Sequence, residues 1–360
     1  MKHLLVDITA HGFGHLAQTA AVLNALDYPD LTITLRSLAP ESILRDRIQH
    51  DFHLIPYQQD NGMVMQDALN VDPLKSFQWH QQFHQNYEQK LTQAIQELNQ
   101  LKPDVLFTDI PYLSLDAAHA LAIPSIALCS LNWADVFQTY CGQFAGAEKI
   151  HNQIIQAYQK ATVFLQPTPS MPMPLLHNTQ TIEPLTAQGK AQPDVLRQRL
   201  ELNTRHKLIL VSLGGIGIDY PLNTWPQLDN VVWIFPDEVL TQQREDWKPQ
   251  SQAQMNYLDL LASCDLILTK TGYGTQTEAV INQVPALCID RGDWPEQPYL
   301  RPWHEQQGEV IYIEWSQILQ GKWADTIHHL LAQPWTKPRP SHQGAQQAAA
   351  YIKKYLAQAN

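Results

Sequence analysis

The sequence predicts an α/β protein built of two doubly wound, Rossmann-like domains. Three observations carry that expectation. Apolar runs of strand length alternate with helix-period segments along most of the 360 residues. A strand leading into a glycine turn and a helix occurs at Gly12 and Gly14, and the pattern returns in the second half at Leu213–Gly217 and Gly272–Gly274. Between the halves, Gln166-Pro-Thr-Pro-Ser-Met-Pro-Met-Pro174 places four prolines in nine residues, a density that favours an extended connector. The chain is long for one core and comfortable for two, so the crossing is expected near Glu183-Pro184.

In the first half, His3–Ile8 reads as a strand running into Thr9-Ala-His-Gly-Phe-Gly-His15, then an amphipathic helix carrying Leu16, Ala20, Leu23 and Leu26. Gly12-x-Gly14-x-x-Ala17 formally matches a relaxed dinucleotide fingerprint, and Arg36, after the second strand, suits a 2′-phosphate. A purely structural turn competes with that reading. Strands at 31–35 and 52–55 flank a helix at 41–48; the polar stretch 58–71, turning at Asn61-Gly62, is the place expected for acceptor contacts. From Pro73 to Leu101 a long helical pattern carries Trp79, Phe83, Tyr87, Leu91, Ile95 and Leu98 as a core stripe, with His80 and His84 read as an exposed face. Val105–Asp109 is a buried-type strand ending in an acid. A helix at 113–121, a strand at 125–129, helical segments over 132–158 and a strand at 161–165 follow.

The second half opens with a helix at 193–201 and a strand at 207–212 leading to Leu213-Gly-Gly-Ile-Gly217, where Gly214 and Gly215 offer backbone amides to a ligand. A strand at 231–235 and a short helix at 257–262 lead to the most informative stretch. There Leu266–Leu268 is a strand, Lys270-Thr-Gly-Tyr-Gly274 a turn, Thr275–Asn282 a helix and Ala286–Ile289 another strand. A glycine turn at a helix start, with unpaired N–H groups, suits an anion, and a phosphate above all. Thr275-Gln-Thr-Glu278 also fits a capping box, which makes Glu278 a helix cap. A strand at 308–313, a helix at 323–331 and an amphipathic segment at 345–357 complete the chain.

Composition narrows the function. A formal net charge of −11 disfavours nucleic acid as a partner and gives no general attraction to anionic membrane. No apolar run approaches the ~18 residues of a membrane span, and Asp7 interrupts the start before a signal core forms; a cytoplasmic protein is expected. Cys129, Cys141, Cys264 and Cys288 form no Cys-x-x-Cys pair and read as free buried thiols.

Gly272-Tyr-Gly-Thr-x-x-Glu278, then Val284-Pro285 and Glu296-Gln297, resembles the donor-binding signature of GT-B nucleotide-sugar glycosyltransferases, including the lipid II glucosaminyltransferase and the plant sugar transferases. The resemblance implies two Rossmann-like domains facing a central cleft: 1–184 on the acceptor side, with 337–360 returning to it, and 185–336 holding the donor. It implies that Glu278 binds the ribose, that Gly272, Tyr273, Gly274 and Thr275 lie at the diphosphate, and that Glu296 and Gln297 face the sugar. Lys270-Thr271 stands where the plant enzymes have a histidine before the turn, and a lysine meets a diphosphate as a point charge. Gly14-His15 matches the family's Gly-His, which makes His15 the general base, with His11 in reserve and otherwise a solvent-exposed loop residue. Gly12-Phe13-Gly14-His15 also resembles a related bacterial UDP-sugar hydrolase. Asp109 becomes the acid orienting His15, with Asp116 as the alternative. No Asp-x-Asp occurs, so metal-independent chemistry without a cofactor is expected. An inverting transferase using a nucleotide sugar, UDP-linked, is the leading expectation. A nucleotide-sugar hydrolase, a non-catalytic sugar-nucleotide-binding protein like the transferase-like portion of some plant sugar kinases, and an NADP-dependent oxidoreductase are the alternatives.

Overall fold

The computed structural model describes residues 1–9, 11–215 and 217–359. The chain divides into two compact units: residues 1–66, 70–185 and 342–360 form the first, and 67–69 with 186–341 the second.

In the first unit the strands are β1 (Lys2–Ile8), β2 (Leu31–Ser37), β3 (His53–Pro56), β4 (Val105–Asp109), β5 (Ser125–Leu128), β6 (Val163–Pro167) and β7 (Thr179–Ile182). Between them run α1 (Phe13–Asn24), α2 (Glu41–Arg47), α3 (Pro73–Gln85), α4 (Tyr87–Leu101), α5 (Leu113–Ala120), α6 (Trp133–Cys141) and α7 (Ala147–Gln159). The strands make one parallel sheet in the order β3-β2-β1-β4-β5-β6-β7. β1 is buried from Leu4 to Ile8 and β4 along its whole length, because helices cover both faces of a parallel sheet. The order reverses between β1 and β4, and that switch point is where open α/β sheets bind ligands.

The second unit repeats the plan with β8 (Lys207–Ser212), β9 (Val231–Phe235), β10 (Trp247–Pro249), β11 (Leu266–Lys270), β12 (Ala286–Ile289) and β13 (Val310–Ile313). Its helices are α8 (Pro193–Arg199), α9 (Tyr257–Ala262), α10 (Tyr273–Asn282), α11 (Gln297–Gln307), α12 (Trp315–Leu319) and α13 (Ala324–Ala332). The parallel order is β10-β9-β8-β11-β12-β13, with its switch point between β8 and β11. One face of this sheet packs Trp225, Trp233 and Trp323 edge to face, with centroids 5.0–5.4 Å apart. The last helix, α14 (Gly344–Gln358), belongs to the first unit and packs on α1, β4 and β7.

The structure corrects several sequence expectations. The single long helix over 73–101 is two, because Asn86 leaves helical geometry (φ −114°, ψ 25°) and ends α3 before α4 begins. His80 and His84 do not form an exposed face. His80 is fully buried with Nε2 bonded to the Gly62 carbonyl at 2.9 Å, and His84 bonds Gln153 and Tyr112. Desolvation holds them at about 3 and about 4 respectively. Nor is 58–71 simply a polar loop, since Gln59, Asp60, Met63, Ala68 and Leu69 are buried. Arg36 is 3% exposed and grips Asp7, its register partner on β1, through Nε–Oδ1 at 2.6 Å and Nη2–Oδ2 at 2.7 Å. A guanidinium committed to that bidentate pair has no hold on a 2′-phosphate, which removes the support for an NADP site. The four cysteines are free and buried. Among the described residues no helix is long and apolar enough to cross a membrane.

Candidate active site

The switch point of the first sheet brings His15 to Asp109. β1 ends at Ile8, level with Asp109 at the end of β4, and the Thr9 N–H donates to the Asp109 carbonyl at 2.8 Å. Gly12, at φ 84°, then turns the chain into α1, a conformation that disfavours any residue with a Cβ. His15 lies in the first turn of α1, 6% exposed, with Nδ1 2.8 Å from Asp109 Oδ1. Asp109 is fully buried and also accepts from Thr19 Oγ1 at 3.5 Å. Burial pushes the Asp109 carboxyl up, opposed by the attraction of His15. An Nδ1–H donated to a carboxylate fixes the tautomer and puts the basic lone pair at Nε2.

The Cys129 thiol stands 3.7 Å from His15 Nδ1, and polar atoms of His15, Asp109 and Cys129 lie within 4.8 Å of one another. Because that nitrogen is already committed to the Asp109 carboxylate, the three form a hydrogen-bonded cluster around the imidazole. His11 is not a solvent-exposed loop histidine: it is half-buried, its ring edge-on to Trp133 at 4.9 Å and 6.4 Å from that of His15. Phe13 is half-buried beside it and Gly14 exposed. Asp116 faces elsewhere, accepting from Tyr87 and Lys160.

In the second unit, Gly214 (φ 90°) and Gly215 are exposed just past the end of β8. Lys270 ends the adjacent strand β11, with its Nζ 3.8 Å from where a Cβ on Gly214 would stand. Burial first and the Arg291 guanidinium second bring the Lys270 amine down to about 7. The helix that follows starts at Tyr273, two residues before the expected point, which overturns the capping-box reading of Thr275 and Glu278. Gly272 is the N-cap, and its N–H donates to Gln276 Oε1 at 2.9 Å, so this amide at the helix start is not unpaired as expected. Gln276 is in turn held by His304 and Tyr312. Glu278 therefore sits mid-helix, 5% exposed, with Tyr273 and Gly274 also buried and Thr275 half-buried.

Glu296 is buried and accepts from Trp294 Nε1 at 2.9 Å. Gln297 uses its amide internally: Oε1 accepts from Thr271 Oγ1 and from the Arg291 N–H, each at 2.8 Å, and Nε2 donates to Asp290. Thr271, itself fully buried, is thus tied to Gln297 across the sheet edge. Sequence reasoning missed Arg291, stacked 3.8 Å over the Trp294 ring beside Lys270; its signal was a cation at the carboxyl end of β12. It also missed Asp60 and Trp133 near His15, for which no linear spacing gives a sign.

No model of a known protein family matches the chain. It is 22% identical over 346 residues to L-arabinokinase of Arabidopsis thaliana, a match covering 92% of this chain and 32% of the plant protein. The chain thus spans about a third of the length of the curated relative it matches. Among solved structures, the glycosyltransferase of kitacinnamycin superposes with a TM-score of 0.65 at 15% identity over 99% of both chains. Glycosyltransferase VinC, solved with DTDP, gives 0.56 at 18% identity over 99% of this chain and 96% of its own. A co-structure of S. aureus MnaA with UDP gives 0.57 at 14% identity over 99% and 97%. With two parallel sheets wound by helices on both faces, the chain has the fold of the GT-B glycosyltransferases.

Proposed function

We propose that this protein is an inverting, metal-independent glycosyltransferase that moves a sugar from a nucleotide sugar, UDP-linked, to an acceptor hydroxyl. The observation that carries the reading is the His15–Asp109 pair, 2.8 Å apart at the switch point of the first sheet. His15 Nε2 takes the hydroxyl proton as the acceptor oxygen attacks the anomeric carbon. The bond from that carbon to the diphosphate breaks, and the nucleoside diphosphate leaves with the electron pair. Attack from the face opposite the leaving group inverts the anomeric configuration, while Asp109 stabilises the imidazolium.

The second unit holds the donor in this reading. Lys270 and the amides of Gly214, Gly215 and residues 273–275 meet the diphosphate, Glu278 meets the ribose hydroxyls and Glu296 the sugar, while Gln297, held by Thr271, Arg291 and Asp290, braces the turn beside them. Support comes from the fold shared with VinC and MnaA, which were solved with DTDP and UDP, and from a lysine set at the second switch point. The absence of Asp-x-Asp supports a mechanism without a metal.

The test is a thermal-shift screen across nucleotide sugars, followed by measurement of nucleoside diphosphate release with His15→Ala as the control. His15→Ala keeps donor affinity within about threefold and loses roughly 10²–10⁴ in turnover. Turnover unchanged in that variant removes His15 from the chemistry, and failure of every nucleotide sugar to bind removes the donor reading. The Gly12-Phe13-Gly14-His15 sequence keeps water as an alternative acceptor; free sugar released from donor alone at the full rate would establish hydrolysis.

A further inference from the structure

A second buried carboxylate stands beside the His15–Asp109 pair. Asp60 is 1% exposed, and both its oxygens are engaged: Thr9 Oγ1 donates to Oδ1 at 2.7 Å and Trp133 Nε1 to Oδ2 at 2.8 Å. Thr9 is the residue whose N–H holds the Asp109 carbonyl, so one short segment after β1 braces both acids. Trp133 is fully buried, its ring 5.6 Å from that of His15 and 4.9 Å from that of His11. The chain also presses onto the indole at Gly62 (φ 53°), where a Cβ would come within 2.7 Å of the Trp133 ring and 3.0 Å of the His11 ring. The indole is therefore clamped at its N–H by Asp60 and on its ring by Gly62, and the clamped ring borders both imidazoles.

We propose that Asp60 and Trp133 are positioning residues for His15: Asp60 fixes the indole, the indole fixes the plane of the imidazole, and the Asp60 charge raises the proton affinity of His15. This rests on the reading of His15 as the base. Among the described residues, His15, Asp109, Tyr112 and Tyr158 act electrostatically on Asp60 or are acted on by it, and of these four only His15 becomes cationic on taking up a proton. Burial pushes the Asp60 carboxyl up to about 6, against the pull of Thr9, Trp133 and His15. Its charge thus changes in the range where an imidazole titrates. The two titrations are coupled, so a proton gained by one makes the next harder to place on the other.

NMR titration of the His15 ring in the full-length protein tests the proposal without needing a substrate. Asp60→Asn lowers the His15 midpoint, corresponding to roughly a threefold or larger loss of proton affinity. Thr9→Val, which keeps the carboxylate but removes a bond that favours its ionised form, lowers it by less. Trp133→Phe keeps a ring but loses the N–H, and it lowers kcat with the donor KM unchanged. A merely structural Asp60 would alter the melting temperature and leave the His15 titration alone. An unmoved His15 midpoint in both folded Asp60→Asn and Thr9→Val overturns the proposal. Should Asp60→Asn fail to fold, Thr9→Val alone decides. The proposed function is judged apart from this: a His15 midpoint that shifts in a protein turning over no nucleotide sugar sinks the transferase and leaves the positioning intact.

Discussion

Lys270 carries the sharpest single-residue consequence. Its amine, brought down to about 7 first by burial and then by Arg291, is half neutral at ordinary working pH. A diphosphate is held by the ammonium and not by the amine, so binding takes up a proton above pH 7. The diphosphate of an intact nucleotide sugar keeps its charge across that range. Donor affinity is therefore expected to be greatest below about pH 7 and to weaken as the pH rises through it, by at most about tenfold per unit. Calorimetry with an unhydrolysed nucleotide sugar from pH 6 to 9 measures this, and Lys270→Met should flatten the profile while weakening binding at pH 6. A slope identical in wild type and variant would remove Lys270 from the diphosphate. At this scale the sequence was legible where a resemblance carried it, as for His15 and Asp109, which the structure brings within 2.8 Å. It was illegible where a partner comes from a neighbouring strand. Arg36 looks like a phosphate ligand until the β1–β2 register sets it opposite Asp7.

At the scale of elements, strands were the most legible because buried parallel strands are continuous apolar runs bounded by turns. β4, β8, β9 and β12 have the ends the sequence predicts. The break between α3 and α4 was hidden because the apolar spacing runs through it, from Phe83 in one helix to Tyr87 in the next. The histidines of α3 were misread for a related reason: a helical pattern shows which faces are polar, and a distant carbonyl such as that of Gly62 can bury a polar face. Their burial has a pH consequence. His80 and His84 titrate at about 3 and about 4 in the folded chain, below the ~6.5 of an unfolded imidazole. The unfolded state thus binds more protons between those values. The stability tied to neutral His80 and His84 is complete above pH 6.5 and is lost as the pH falls towards 4, at up to about 1.4 kcal/mol per pH unit for each ring. Urea midpoints should drop between pH 7.5 and 5, and His80→Gln should drop less steeply from a lower starting stability. Equal slopes in the two proteins would contradict the buried, neutral state of His80.

Across the whole molecule, the final helix couples the chain's end to the proposed base. α14 buries Ala345, Ala348, Ala349, Ile352 and Leu356, and it packs on α1, which carries His15, and on β4, which ends in Asp109. Its start is pinned: Gln343 N–H donates to the Glu183 carboxylate at 2.8 Å, the Glu183 N–H donates to Gln347 Oε1 at 2.8 Å, and Gly344 lies where a Cβ would meet the Glu183 carbonyl at 2.1 Å. Small residues along the buried stripe let the helix sit close to its neighbours, and Ile352 and Leu356 supply most of the apolar area. Ile352→Ala removes one of these and should cost about 2–5 kcal/mol. Because α14 belongs to the first unit, hydrogen exchange should show α1 and β4 losing protection while β8 and β11 keep theirs. On warming, turnover should then fail before nucleotide-sugar binding does, since the base is assigned to the loosened unit and the donor to the other. Equal loss of protection in β4 and β11 would mean that the two units open together, and this separation of base from donor would no longer follow from the fold.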